Sequence, residues 1–181
     1  WLLGLKGSDI YVLDGVKERM NTPATIKAIL SWREKYPQAK RILIEEAASG
    51  ASIIQLLQHT MSGITPISPH GRSKETRLHF ETNSVAGFVE AGHVFLPARN
   101  EEEAQPLTPH LCELAQGLVE EAAAFPFGAN DDQLDAFVQG AQWLMPRVWS
   151  AERRAESAQA DSQIVTPIQY ESKRLKDILT K

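Results

Sequence analysis

The 181-residue sequence predicts an α/β fold, a sheet with helices packed on its faces. Three observations predict it. An apolar hairpin opens the chain, with a strand over Trp1–Lys6, a tight turn at Gly7-Ser8-Asp9 and a returning strand over Ile10–Val16. Arg41-Ile42-Leu43-Ile44-Glu45 is a continuous apolar run ending in acid, the pattern of a buried parallel strand. From there on, segments of strand and helix period alternate, which places helices against the sheet.

Between hairpin and buried strand, Thr22-Pro23 reads as an N-cap followed by proline at the first helical position. Ile26, Ile29, Leu30 and Trp32 follow at near-helical spacing until Tyr36-Pro37 stops the helix. After Glu45, the small residues Ala47 to Gly50 form a turn, and Ser49 or Ser52 caps a helix carrying Ile53, Ile54, Leu56 and Leu57. Ile64 to Ser68 is a short strand. Ser73 caps a long helix over Lys74–Ala91, ended by Gly92, and His93 to Leu96 is a strand stopped by Pro97. Glu101 to Thr108 is a loop, and Leu111, Leu114, Leu118 and Val119 mark another helix. Phe125-Pro126-Phe127-Gly128 breaks the pattern. The last strong helix runs from about Asp131 to Leu144, with Leu134, Phe137, Val138, Ala141 and Leu144 on its apolar face. Beyond Pro146 the chain turns polar. The expected organisation is one domain over 1–149 and a polar tail over 150–181, with a short helix at Lys173–Leu179.

The composition, 43% hydrophobic and 23% charged, is that of a globular domain able to bury a core. No apolar stretch is long enough to span a bilayer, and Trp1-Leu2-Leu3-Gly4-Leu5 is too short for a secretory signal. The single cysteine, Cys112, has no partner for an internal disulfide, which points to a reducing cytoplasm and a buried structural thiol. The net charge of −4 argues weakly against a nucleic-acid partner, because binding depends on where basic residues cluster. No G-x-x-x-x-G-K-[ST] segment occurs, so the chain has no P-loop for nucleotide phosphates.

The candidate chemistry is acidic. Asp131, Asp132 and Asp135 stand at the start of the last helix; Asp131 and Asp135 share a face at i,i+4, and Asp132 and Asp135 nearly do at i,i+3. Acids at a helix start also serve as N-caps. Capping accounts for Asp131 and at most Asp132, and leaves Asp135, one turn on, without a role. Glu45 ends the buried strand, where sites in open α/β sheets collect, although Glu45-Glu46 taken in isolation reads first as a solvated strand end. Two carboxylate clusters in such positions suit hard cations, Mg²⁺ or Mn²⁺. A pair of such ions about 3.5–4 Å apart supports two-metal phosphodiester hydrolysis.

Four ordered segments resemble the nuclease domain of tailed-phage terminase large subunits. Ile44-Glu45-Glu46-Ala47-Ala48-Ser49-Gly50 is similar to that family's IEDxASG segment, and Ile67 to Arg77 to its PxGxxKxxR region. Gly92-His93-Val94-Phe95-Leu96-Pro97 is similar to AGxVxLP, and Phe125 to Ala136 to FPxGxHDDxxDA. The resemblance implies a ribonuclease H-like mixed sheet with helices on both faces, and an endonuclease that cuts concatemeric viral DNA. It implies Glu45 as the second metal carboxylate and the aspartate cluster as the third, with Asp131 and Asp135 favoured by facing and Asp132 next. It further implies double-stranded DNA, the terminase small subunit, the portal and the packaging ATPase domain as partners, in the host bacterial cytoplasm. Asn130 stands where the family commonly has histidine, and Glu46 where it commonly has aspartate. The family's first carboxylate lies in a WDxA-like segment on the strand before Trp1–Lys6; no such segment is present, and Asp9 and Asp14 stand in the wrong places. The expectation is therefore a domain lacking its first strand, with a site one ligand short and weak metal binding. A non-catalytic docking module, or another ribonuclease H-like nuclease such as a resolvase, remains the alternative.

Arg72, Lys74 and Arg77 form a basic cluster whose i,i+3 spacing aligns Lys74 with Arg77 for phosphate contact; a solvated helix face gives the same pattern. His70, in a Pro-His-Gly turn, reads as a surface-loop histidine ahead of a ligand or base, and His59, His79, His93 and His110 show no metal-ligand spacing to one another. Trp32, Trp143 and Trp149 read as packing residues. Ser49-Gly50 lacks the G-x-S-x-G context of a serine nucleophile.

Overall fold

The computed structural model describes residues 1–68, 85–97, 109–155 and 172–174. The chain divides into two compact units, Trp1–Lys17 with Ser73–Lys181, and Glu18–Arg72. The described strands form two sheets, one of four strands and one of two, each within its own unit.

In the first unit, β1 (Leu2–Lys6) and β2 (Asp9–Asp14) form the expected hairpin. Lys6 pairs with Asp9 across a two-residue loop, and Gly7 takes φ +59°, a conformation glycine adopts at little cost. β2 runs parallel to β5 (Val94–Pro97), and β6 (Ser172–Arg174) adds antiparallel to β5, giving the order β1-β2-β5-β6. Lys173 and Arg174 were expected to open a helix over Lys173–Leu179. Pairing with β5 (Leu96↔Lys173) makes them a strand instead, a long-range partner that local propensity cannot register.

The helices of this unit are α3 (Val85–Glu90), α4 (Pro109–Ala124) and α5 (Asp132–Ala155). Period-2 alternation sends Ile10, Val12, Val94 and Leu96 to one face of the sheet, where they are buried. Against them pack Val85 and Phe88 of α3, Ala115, Leu118 and Val119 of α4, and Leu134, Phe137, Val138, Ala141 and Met145 of α5. Each large member of that set contributes about 1.5–3 kcal/mol relative to an exposed side chain. The apolar face expected for α5 is recovered except at its end, where Met145 is buried and Leu144 only half-buried. The helix also continues past its expected end, through Pro146 to Ala155. Proline there removes one backbone bond, and the buried Met145 anchors the turn before it. Cys112, expected to be buried, is half-buried on α4.

The second unit contains α1 (Thr22–Lys35), β3 (Ile42–Glu45), α2 (Gly50–Gln58) and β4 (Ile64–Ile67). β3 and β4 pair in parallel from Ile42↔Ile64 to Glu45↔Ile67. α2 packs on both strands and on α1, burying Ile53, Ile54 and Leu57, whereas Leu56 is exposed. The cap of α1 is Asn21 rather than Thr22: the Asn21 side chain accepts from the Ala24 amide at 3.0 Å, and Pro23 sits in the first turn. Ser49 occupies the N-cap position of α2 without making a side-chain cap bond. Among the described residues no helix is long and apolar enough to cross a membrane.

Candidate functional site

The aspartate cluster of the first unit stands where α4 turns back into α5. Phe125 packs against the core, and the Phe127 amide donates to the Ala124 carbonyl at 2.9 Å, so the chain reverses tightly over 125–130. That turn leaves the Phe127 ring 95% exposed. Asp131 precedes the helix and Asp132 is its first residue; the Asp135 amide donates to the Asp131 carbonyl at 2.8 Å. Asp131 and Asp135 are half-buried on one flank, one turn apart, and Asp132 is exposed. The facing expected from i,i+4 spacing is thus realised within this unit.

The start of α5 is held by a residue from the preceding helix. Glu121, near the end of α4, is only 8% exposed, and its Oε2 accepts from the backbone amides of Gln133 at 2.8 Å and Leu134 at 3.0 Å. These are the second and third helical residues, the amides that an N-cap side chain normally takes. The Glu121 Oε1 accepts from Lys17 Nζ at 2.7 Å and from the Gln133 side-chain amide at 3.1 Å. Burial pushes the Glu121 carboxyl up; the Lys17 ammonium and the Leu134 and Gln133 donors more than offset it, leaving the group below its ordinary value of 4.5. Glu121 is therefore an ionised, buried cap. Two further contacts fix the same turn. The Trp1 indole donates to the Gln133 carbonyl at 3.0 Å, and Gly117 of α4 makes room for Gln133, whose Nε2 would lie 2.8 Å from a Cβ at that position.

Glu45 lies in the second unit as the last residue of β3, half-buried, with Glu46 exposed beside it. The ladder continues one step past the strand, the Glu46 amide donating to the Ile67 carbonyl at 2.8 Å. The chain then folds back at once. Ala48 adopts φ 47°, the Gly50 amide donates to the Ala47 carbonyl at 2.8 Å, and α2 begins at Gly50. A Cβ on Gly50 would lie 3.1 Å from the Glu45 carbonyl carbon and closer still to its oxygen, so only glycine permits this approach.

The oxygen donors at Glu45, Asp131, Asp132 and Asp135 have the chemistry of a Mg²⁺ or Mn²⁺ site. Among the described residues, no three His, Cys, Asp or Glu side chains are grouped closely enough to hold a metal ion. The donor type fits the cation; within the first unit, Asp131, Asp132 and Asp135 by themselves do not form such a group. Arg72, Lys74 and Arg77, expected to contact phosphate, lie outside the described residues, as does His70.

The model of the terminase RNaseH-like domain family matches residues 1–141. The chain belongs to that family. No curated protein and no solved structure matches it. The matched span of this terminase RNaseH-like domain includes Glu45 and all three aspartates, together with Glu121, Lys17 and Gln133. Sequence patterning passed over those last three residues. One signal was available: Glu120-Glu121 sits in the last turns of a helix with no basic residue there, against the helix dipole. An acid so placed needs a partner elsewhere.

Proposed function

We propose that this terminase RNaseH-like domain is a metal-dependent DNA endonuclease of a phage packaging motor. Glu45 and the Asp131/Asp135 pair would hold Mg²⁺ or Mn²⁺, with Asp132 as a further donor. The chemistry such ions supply when bound is activation of the attacking water and stabilisation of the leaving oxygen. The carboxylates contribute hard oxygen ligands and leave positions for water and phosphate. Arg72, Lys74 and Arg77 would grip the backbone of double-stranded DNA without reading its sequence. The remaining partners would be the terminase small subunit, the portal and the packaging ATPase domain, in the host bacterial cytoplasm.

One observation carries the reading. Within a chain of this family, Asp131 and Asp135 share a flank of α5 while the cap amides of that helix are held by Glu121. Because Glu121 supplies that cap from α4, the aspartates are not required for it, which supports a ligand role for them. The test is incubation with supercoiled plasmid and Mn²⁺ or Mg²⁺, alongside Glu45→Ala and Asp135→Ala. The expected result is nicked and linear DNA from the parent and none from either variant. Absence of cutting by the folded parent at high protein and Mn²⁺ overturns the enzymatic reading in favour of a docking module.

A further inference from the structure

Glu121 belongs to neither carboxylate cluster, yet four bonds tie it to the α5 start and to Lys17. Its carboxylate takes the amides of Gln133 and Leu134, the side chain of Gln133 and the ammonium of Lys17. Gln133, 7% exposed, lies between Asp132 and Leu134 and is clasped on both sides, by Glu121 at its amides and by Trp1 at its carbonyl. Gly117 gives that side chain its space. A helix start tied at consecutive residues has little freedom to rotate or fray, and Asp131, Asp132 and Asp135 ride on it.

We propose that Glu121 is a positioning residue for the aspartate cluster, fixing through the Gln133 and Leu134 amides where the first turn of α5 presents its carboxylates. The inference rests on the nuclease reading above and deepens it. Glu121 itself faces Lys17 and the helix amides, and takes no ligand role. The consequence is a defined order among substitutions. Glutamine keeps an acceptor oxygen at the same reach and preserves part of the clasp. Aspartate keeps the charge but withdraws the oxygens by one methylene, and alanine removes them.

The test uses the full chain with Glu121→Gln, Glu121→Asp and Glu121→Ala, each shown folded by circular dichroism at the assay temperature. Two readouts are taken. Amide hydrogen exchange at Gln133 and Leu134 reports the clasp directly and needs neither metal nor DNA. Plasmid cutting in Mn²⁺, separated into kcat and KM, reports its effect on the carboxylates. The expected result is faster exchange at both amides in the order Ala ≈ Asp > Gln > parent. The expected loss of kcat follows the same order, reaching about a hundredfold for alanine, the scale of an ångström's misplacement, with KM for DNA little changed. Should Glu121→Ala and Glu121→Asp fail to fold, Glu121→Gln and Gly117→Ala, which displaces Gln133 without altering charge, carry the test. Parent-like kcat in variants whose amides exchange faster overturns the proposal, and so does parent-like exchange. If the parent itself does not cut, the nuclease reading fails separately, and Mn²⁺-induced broadening of the Asp131–Asp135 amides takes the place of kcat. Broadening that is identical in parent and variants then overturns the positioning role.

Discussion

Replacing Gly50 by alanine tests whether backbone geometry, rather than the carboxylate alone, makes Glu45 competent. The added methyl would stand 3.1 Å from the Glu45 carbonyl carbon. The carbonyl bond is about 1.23 Å long, so the oxygen comes far inside tolerable contact. It belongs to the backbone, and no rotamer change relieves it. Either β3 or α2 must move by something on the order of 1 Å, and overpacking of this kind costs about 1–3 kcal/mol. Helix propensity opposes that cost by at most about 1 kcal/mol. The net expectation is a Tm lower by a few degrees, with the fold retained. Cutting should fall about a hundredfold, since displacements of ~1 Å at a reacting centre cost that much. A readout independent of activity is amide exchange at Glu46, whose bond to the Ile67 carbonyl closes the β3–β4 ladder and should open faster. Ala51→Ser, one residue on and exposed, serves as the control. A Gly50→Ala protein with parental cutting and parental Glu46 protection would refute the reasoning.

Other substitutions probe the packing and electrostatics around the same elements. Phe137 is 2% exposed in the middle of the first unit's core, and Phe137→Ala should cost about 3–5 kcal/mol in urea unfolding, against much less for Phe137→Leu. Phe127→Ser, at a ring 95% exposed, should leave unfolding free energy within about 0.5 kcal/mol of the parent. Because the Glu121 carboxyl is held below 4.5, its ionised form stabilises the fold at pH above that value, and the contribution is lost as pH falls through the folded-state pKa. The stability gap between the parent and Glu121→Gln, measured by thermal melts, should therefore be constant near neutrality and shrink on acidification below about 4.5. A gap that widens toward acid would contradict the assigned sign. Lys17→Met, which leaves the buried carboxylate without its cation, should lower Tm more than Lys17→Arg.

What could be read from the sequence followed the range of the physics involved. The hairpin at Gly7-Ser8, the strand ending at Glu45 and the apolar faces of α4 and α5 are local patterns, and each is present, although β3 is half-buried along its length rather than buried. The aspartate facing on α5 is equally local. Strand β6 was missed because its reason lies in Leu96, 77 positions before Lys173, rather than in Lys173 itself. The Asn21 cap was assigned one residue late, within the ordinary uncertainty of helix ends. The glycine at position 50 was legible as a turn, but not as the place where α2 meets the Glu45 carbonyl. Glu121 was hidden for the same reason, since its partners Lys17 and Gln133 come from distant elements.

The energetics of Glu121 bear on why the aspartates are there. At the end of α4 the dipole opposes a negative charge by about 0.3–1 kcal/mol, and burying a carboxylate costs several kcal/mol unless it is paired and hydrogen-bonded. Lys17 and three N–H donors offset that cost. Yet the sequence already places aspartate at 131, in the N-cap position, where capping is worth about 0.5–2 kcal/mol and needs no buried charge. With the cap supplied by a long-range glutamate, Asp131, Asp132 and Asp135 add three further carboxylates within five residues at the same helix start. A cation bound at the cluster would lower the repulsion among its carboxylates. The repulsion itself is measurable. Asp132→Asn, which removes one exposed charge without touching the clasp, should raise Tm in EDTA and lower the Tm gained on adding Mn²⁺. If the substitution is neutral in both conditions, the aspartates neither repel one another nor share a cation, and the case for a metal site at α5 fails.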